Sequence, residues 1–250
     1  WRNIRNNGIN PNYNYIKTKF ILENPDKYDG YIFGSSRVGV IHVEKIKEEK
    51  IYNMTASGAL PREHYETLKT FVSNGVEIDT VYLGVDSLSY TKDPTSHYYE
   101  PMRSPYEFLI KHPKVFFELY TDPSVVFQGF EAMRSEGETP GYDMVYTHGW
   151  FADYDQKSTV DWNKQKPVIG RKKLLKETMQ DIRNIKELCE ENQIRLIVFI
   201  NPMYDITFRA SLKKDYTEFL VSLADITDYY NFSGLNDITL NQDYFLDASH

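Results

Sequence analysis

Two short stretches of this chain combine residue types that do acyl chemistry. Gly34-Ser35-Ser36-Arg37 directly follows an apolar run, Tyr31-Ile32-Phe33. A serine placed where a strand turns toward a helix carries its hydroxyl at the sheet edge. Backbone N–H groups and the positive end of a following helix would then favour an oxyanion formed beside Ser36. The second stretch is Asp247-Ala248-Ser249-His250. Two residues between an aspartate and a histidine let one turn of chain aim both at one cleft. His250 would take the serine proton while Asp247 fixes its tautomer and stabilises the imidazolium. Each stretch has a plainer reading, Gly-Ser-Ser as a turn or cap and Asp-x-x-His as a solvated loop.

The elements that must position these residues follow from the pattern of apolar residues and breakers. Residues 12–24 read as a short helix ended by Pro25, and 29–34 as a short buried strand. A helical stretch is expected over about 37–49, then a strand at 51–54. A helix with Pro61 in its first turn runs to about Ser73, and 79–84 is a third strand. A strong amphipathic helix over about 171–192 precedes the run 194–200, whose near-continuous apolar character fits the middle of a parallel sheet. A helix at about 208–223, a strand near 225–230 and a final loop from 243 complete the chain. Alternating strands and helices predict an α/β fold with a doubly wound parallel sheet, whose functional residues sit just past the strand ends.

Residues from about 87 to 168 break this rhythm. Pro94, Pro101, Pro105, Pro113, Pro123, Pro140 and Pro167 fall in or beside this stretch, with many aromatics. It reads as an aromatic- and Pro-rich insertion after the third strand, within a single domain spanning 1–250. Trp150, Phe151, Tyr154 and Trp162 lie close to His148, and such rings could stack on sugars or pack the insertion. His148 has no second ligand at a metal-site spacing, so no metal is expected.

The net charge of -7 and the lack of a long Lys/Arg cluster argue against a nucleic-acid partner. The lone Cys189 excludes an internal disulfide and, on an expected helix, reads as a buried inert thiol. No run of 18 apolar residues and no signal peptide are present. The chain starts at Trp1 rather than Met, which leaves an earlier anchor or signal segment open. Twenty tyrosines among 250 residues are consistent with a wet, sugar-binding cleft or with source composition.

Taken together, four blocks resemble those of the SGNH/GDSL hydrolases and acyltransferases. Gly34-Ser35-Ser36 matches the nucleophile turn after the first strand. Asn53-Met54-Thr55-Ala56-Ser57-Gly58 matches the oxyanion-glycine block after the second, Gly84-Val85-Asp86 the Gly-x-Asn block after the third, and Asp247-Ala248-Ser249-His250 the closing Asp-x-x-His. The resemblance covers 29–86 and 171–250. It implies a flavodoxin-like three-layer sandwich, with Ser36 as nucleophile, His250 as base then acid, and Asp247 as its orienter. The oxyanion hole would draw on the N–H groups of Ser36 and Gly58 and on position 86. There the family carries asparagine and this chain carries Asp86. An ionised carboxylate cannot donate a hydrogen bond, so either Asp86 is protonated, another group donates, or catalysis is slow or absent.

The Gly-Ser-Ser-Arg turn, Asn10-Pro11-Asn12-Tyr13 and the Asp-Ala-Ser-His ending are most similar to membrane-anchored SGNH-like proteins (DltD-like, alginate and cellulose acetylation type). That likeness implies O-acylation, chiefly O-acetylation, of a bacterial cell-surface polysaccharide outside the cytoplasmic membrane. The acyl donor would come from a membrane-bound O-acyltransferase, with an N-terminal anchor preceding Trp1 and no cofactor. Arg37 would neutralise an anionic donor or polymer, and Trp150 would contact the glycan. A carbohydrate esterase with the same triad, and a non-catalytic polysaccharide-binding or assembly protein on the same fold, remain open at this stage.

Overall fold

The computed structural model describes residues 12–94, 103–121, 123, 149, 158, 160–167, 175–212 and 216–248. Five strands, β1 (Gly30–Phe33), β2 (Ile51–Asn53), β3 (Thr80–Val85), β4 (Arg195–Ile200) and β5 (Tyr229–Asn231), form one sheet in the order β2-β1-β3-β4-β5. Every neighbouring pair is parallel. The order reverses between β1 and β3, which makes their carboxyl ends the crevice where doubly wound sheets place ligands.

Side chains alternate across the strands and so define two faces. Tyr31, Phe33, Val81, Leu83, Val85, Val198 and Ile200 join the larger core. Helices α1 (Tyr13–Leu22), α2 (Pro61–Ser73), α6 (Leu175–Glu191) and α8 (Tyr216–Ala224) supply its other layer through Phe20, Ile21, Leu68, Phe71, Ile182, Ile185, Phe219 and Leu223. Apolar residues recur at helical spacing on α2 and α6, and the two pack on each other. Arg62 of α2 ties to buried Asp181 of α6 at 2.5 Å. Cys189 lies in this core, and burial pushes its thiol up to about 12.

The opposite face corrects the expectation for 37–49. Instead of a helix, two single 3-10 turns form, Ser36–Val38 and Val43–Lys45. Gly39 and the β-branched Val38, Val40, Ile41 and Val43 disfavour continuous helix. Val38, Ile41 and Val43 instead lay apolar side chains on the sheet, where Val38 and Val43 pack with Ile32, Ile51 and Phe199, while Val40 stays exposed. The helix expected at 208–223 is likewise two, α7 (Asp205–Leu212) and α8, and the last strand begins at Tyr229 rather than 225. Within the insertion, α3 (Leu88–Thr91), α4 (Tyr106–Lys111) and α5 (Pro113–Thr121) are described. Among the described residues, no helix is long and apolar enough to cross a membrane.

Val38 occupies a notch made by two glycines. A Cβ on Gly34 would lie 2.2 Å from its Cγ2, and one on Gly84 2.4 Å from the same atom. The glycines therefore let the turn after β1 sit down on the sheet. Gly84→Ala should cost about 1–3 kcal/mol by overpacking, read from urea denaturation. Adding Val38→Ala should recover part of that loss, because it empties the notch.

Candidate functional site

The turn leaving β1 is built from side-chain contacts to the loop leaving β3. Ser35, 3% exposed, caps the first 3-10 turn and donates from Oγ to Asp86 Oδ2 at 2.6 Å. Arg37 pairs with the other carboxylate oxygen, Nη1 to Oδ1 at 3.1 Å, and both side chains are almost fully buried. The Leu88 N–H donates to the same Oδ1 at 2.7 Å, and Arg37 Nη1 reaches Ser87 Oγ at 3.4 Å. Asp86 thus accepts three times and neutralises the guanidinium, and in return fixes the position of Ser36 between Ser35 and Arg37. Ser36 is the one partly exposed member of this turn, between buried Gly34, Ser35 and Arg37.

The loop leaving β2 closes on the other side. Met54 N–H donates to Ile32 O at 2.8 Å and Ala56 N–H to Gly34 O at 3.4 Å. Asn53 Nδ2 donates to Val38 O at 3.1 Å, and its Oδ1 accepts from Thr55 N at 2.9 Å. Lys17 of α1, fully buried, clamps this loop from below by donating to Asn53 O at 3.0 Å and Thr55 O at 2.6 Å. Gly58 then takes φ +62°, a left-handed conformation that favours glycine. Its carbonyl accepts from Arg103 at 3.1 Å. A Cβ there would lie 3.0 Å from the Arg103 guanidinium and 3.1 Å from Lys92 Nζ. Two cations therefore flank the Gly58 turn. The Gly58-containing loop runs directly into α2, where Glu63 accepts from Leu60 N at 2.7 Å.

His64, one turn into α2, is buried against Phe33 with ring centroids 5.5 Å apart. Burial lowers its imidazole to about 3, with the Asp86 carboxylate pulling the other way. The ring is therefore neutral at physiological pH.

Asp247 belongs to a segment pinned beside the loop that leaves β4. Thr207 Oγ1 donates to Ala248 O at 2.8 Å, Ser158 Oγ to Leu246 O at 2.7 Å, and Ala248 N–H to Gln165 Oε1 at 3.4 Å. Phe245 packs on Tyr204, and Tyr204 on Trp162. Two insertion residues, Ser158 and Gln165, thereby hold residues 246–248 in place. His250 and Trp150 lie outside the described residues. Gly149, which precedes Trp150 in sequence, packs on β2, where a Cβ would meet Asn53 O at 2.3 Å.

Of the residues singled out from sequence, Ser36, Arg37, Asp86 and Gly58 stand on turns at one end of the sheet. Asp247 is anchored at the same end, by β4. Arg37 spends its charge on Asp86 inside the fold. The helix whose dipole was expected to assist Ser36 is a single 3-10 turn, so any oxyanion there depends on individual N–H groups. Lys17, His64, Arg103 and Asn201, the first residue past β4, were not singled out. Only Asn201 carried a signal, its place directly after the most apolar strand. Among the described residues, no group of three or more His, Cys, Asp or Glu could hold a metal ion. No family model and no curated protein matches this chain.

Asp86→Ala should cost about 3–5 kcal/mol, because it leaves a buried guanidinium uncompensated. Arg37→Met should also destabilise, and the pair Arg37→Met/Asp86→Leu should lose less than the two single changes added. Denaturant titration of the four proteins measures that coupling. Separately, the His64 pKa is lower folded than unfolded, so its contribution is full above pH 6.5 and declines as pH falls toward 3. At pH 5 the loss is about 2 kcal/mol by proton linkage. His64→Phe should flatten the Tm-against-pH curve between pH 7 and 5.

Proposed function

We propose that this chain is an SGNH-type serine acyl-transfer enzyme that modifies a polysaccharide. The observation that carries the reading is the Ser36 turn. It is locked to the carboxyl end of the β1/β3 crevice by the Ser35–Asp86–Arg37 contacts, with the Gly58 loop following from β2. In this reading Ser36 Oγ attacks the acyl carbon of a donor ester, and His250 takes the hydroxyl proton. The N–H groups of Ser36 and Gly58 hold the oxyanion, and Asp247 orients His250. Collapse breaks the bond to the donor oxygen, which leaves with the proton from His250. A sugar hydroxyl then gives its proton to His250 as it attacks the acyl-Ser36 ester; collapse breaks the acyl–Ser36 Oγ bond, His250 returns the proton to Ser36 Oγ, and the acylated sugar leaves.

Asp86 accepts hydrogen bonds in this arrangement and donates none of those described, so the third oxyanion donor of the family is replaced or missing. Loss of one such donor lowers rate by about 10²–10³, which is compatible with slow transfer. The acceptor would be a cell-surface glycan. The donor would come from a membrane-bound O-acyltransferase, and the domain would work on the outer side of the cytoplasmic membrane. Water as acceptor would make the same machinery a carbohydrate esterase. The engaged Asp86 carboxylate also favours a second reading, a glycan-binding protein on this fold with no turnover.

A fluorophosphonate probe separates the readings. It should label the wild-type protein on Ser36, and Ser36→Ala should abolish both labelling and hydrolysis of p-nitrophenyl acetate while retaining the wild-type Tm. His250→Ala should lower hydrolysis by at least about 10²-fold, in line with loss of general-base assistance. An unlabelled Ser36 in a protein that still binds glycan would establish the binding reading instead.

A further inference from the structure

Asn201 is the first residue beyond β4, and its N–H reaches Val85 O at 3.4 Å, which sets it beside Asp86 at the end of the crevice. Its side chain is 3% exposed, yet Nδ2 has no hydrogen-bond partner among the described residues. A buried amide left unpaired forfeits the hydrogen bonds it makes to water, and folded proteins rarely tolerate that without cause. The neighbouring polar groups are satisfied: Asp86 by Ser35, Arg37 and Leu88, and Asn53 by Val38 and Thr55. Among the described residues, Asn201 Nδ2 and Thr18 Oγ1 of α1 are the buried side-chain atoms without a partner, and of the two only Asn201 stands directly beyond a strand end.

A second feature lies three residues on. Tyr204 and Trp162 meet with ring centroids 4.7 Å apart, and both are partly exposed. An amphipathic ring pair at the loop leaving β4 suits a ligand with an apolar face and hydroxyls on its rim, which describes a pyranose. β4 stands two strand spacings, about 10 Å, from β1. A hexose ring is of a size to bridge strand ends at that separation.

We infer that Asn201, with the Trp162–Tyr204 pair, forms a pyranose subsite, in which Nδ2 donates to an oxygen of the sugar whose ester or hydroxyl faces Ser36. This assignment rests on the acyl-transfer reading and names the part of the site that recognises the acceptor. The donor that Asp86 cannot supply to the substrate is present one strand over, turned toward recognition instead of the oxyanion.

The test uses the Ser36→Ala protein, which binds without turnover, and methyl 6-O-acetyl-glucopyranoside as probe, titrated by NMR. Adding Asn201→Leu, of similar shape but without a donor, should weaken binding about fivefold, the worth of one neutral hydrogen bond. Asn201→Leu should leave Tm equal or higher, since the amide has no partner to lose. A lower Tm would reveal a structural partner and overturn the assignment. Unchanged affinity would also overturn it, while leaving acyl transfer standing if the wild-type Ser36 takes the fluorophosphonate label. Absence of both labelling and binding would bring down the two readings together.

Discussion

A buried ion pair between the first and third strand ends organises this molecule. Arg37 and Asp86 lie on separate loops, 49 residues apart in sequence, and meet at 3.1 Å with almost no exposure. Desolvating two charges is costly unless the remaining hydrogen-bonding capacity is filled, and here it is, by Ser35, Ser87 and the Leu88 N–H. The pair joins two turns that parallel strands alone would leave independent. The conformation of Ser36 is therefore a consequence of a contact that neither turn can make by itself.

Around that pair, the fold brings in supports from distant sequence. Lys17 donates into the backbone of the loop after β2 from a helix that precedes the first strand. Asn12 caps α1 and also donates to Ser104 O at 2.9 Å, and Asn14 donates to Arg103 O at 3.2 Å. The N-terminal helix and the insertion are thereby tied together around the Gly58 turn. At the far side, Ser158 and Gln165 hold the Asp247 segment. Described residues of the insertion, Arg103, Ser104, Ser158 and Gln165, are consequently part of the framework around these turns.

Much of the architecture was legible because apolar periodicity reports burial directly. The run 194–200 reads as an interior strand and becomes the partner of both β3 and β5. Pro61 marks the start of α2, and the pattern over 171–192 gives α6 to within a few residues. The misreading at 37–49 has a physical cause. Its apolar residues were legible, but whether they cover a sheet as a helix or as extended chain with 3-10 turns depends on the space above β1 and β2. That space is closed by Val38 dropping between Gly34 and Gly84, a contact set by two strands at once.

The sequence by itself determined that serine, glycine, aspartate and the Asp-x-x-His ending follow the elements of an alternating α/β chain, since residue order and hydrophobic period are local properties. Tertiary structure alone decided what the charged and polar groups do. Asp86 became the counter-ion of Arg37, Lys17 a buried clamp, His64 a neutral core imidazole and Asn201 an amide without a partner among the described residues. Those roles depend on desolvation and on distances between segments far apart in the chain, and neither is encoded in any single stretch of residues.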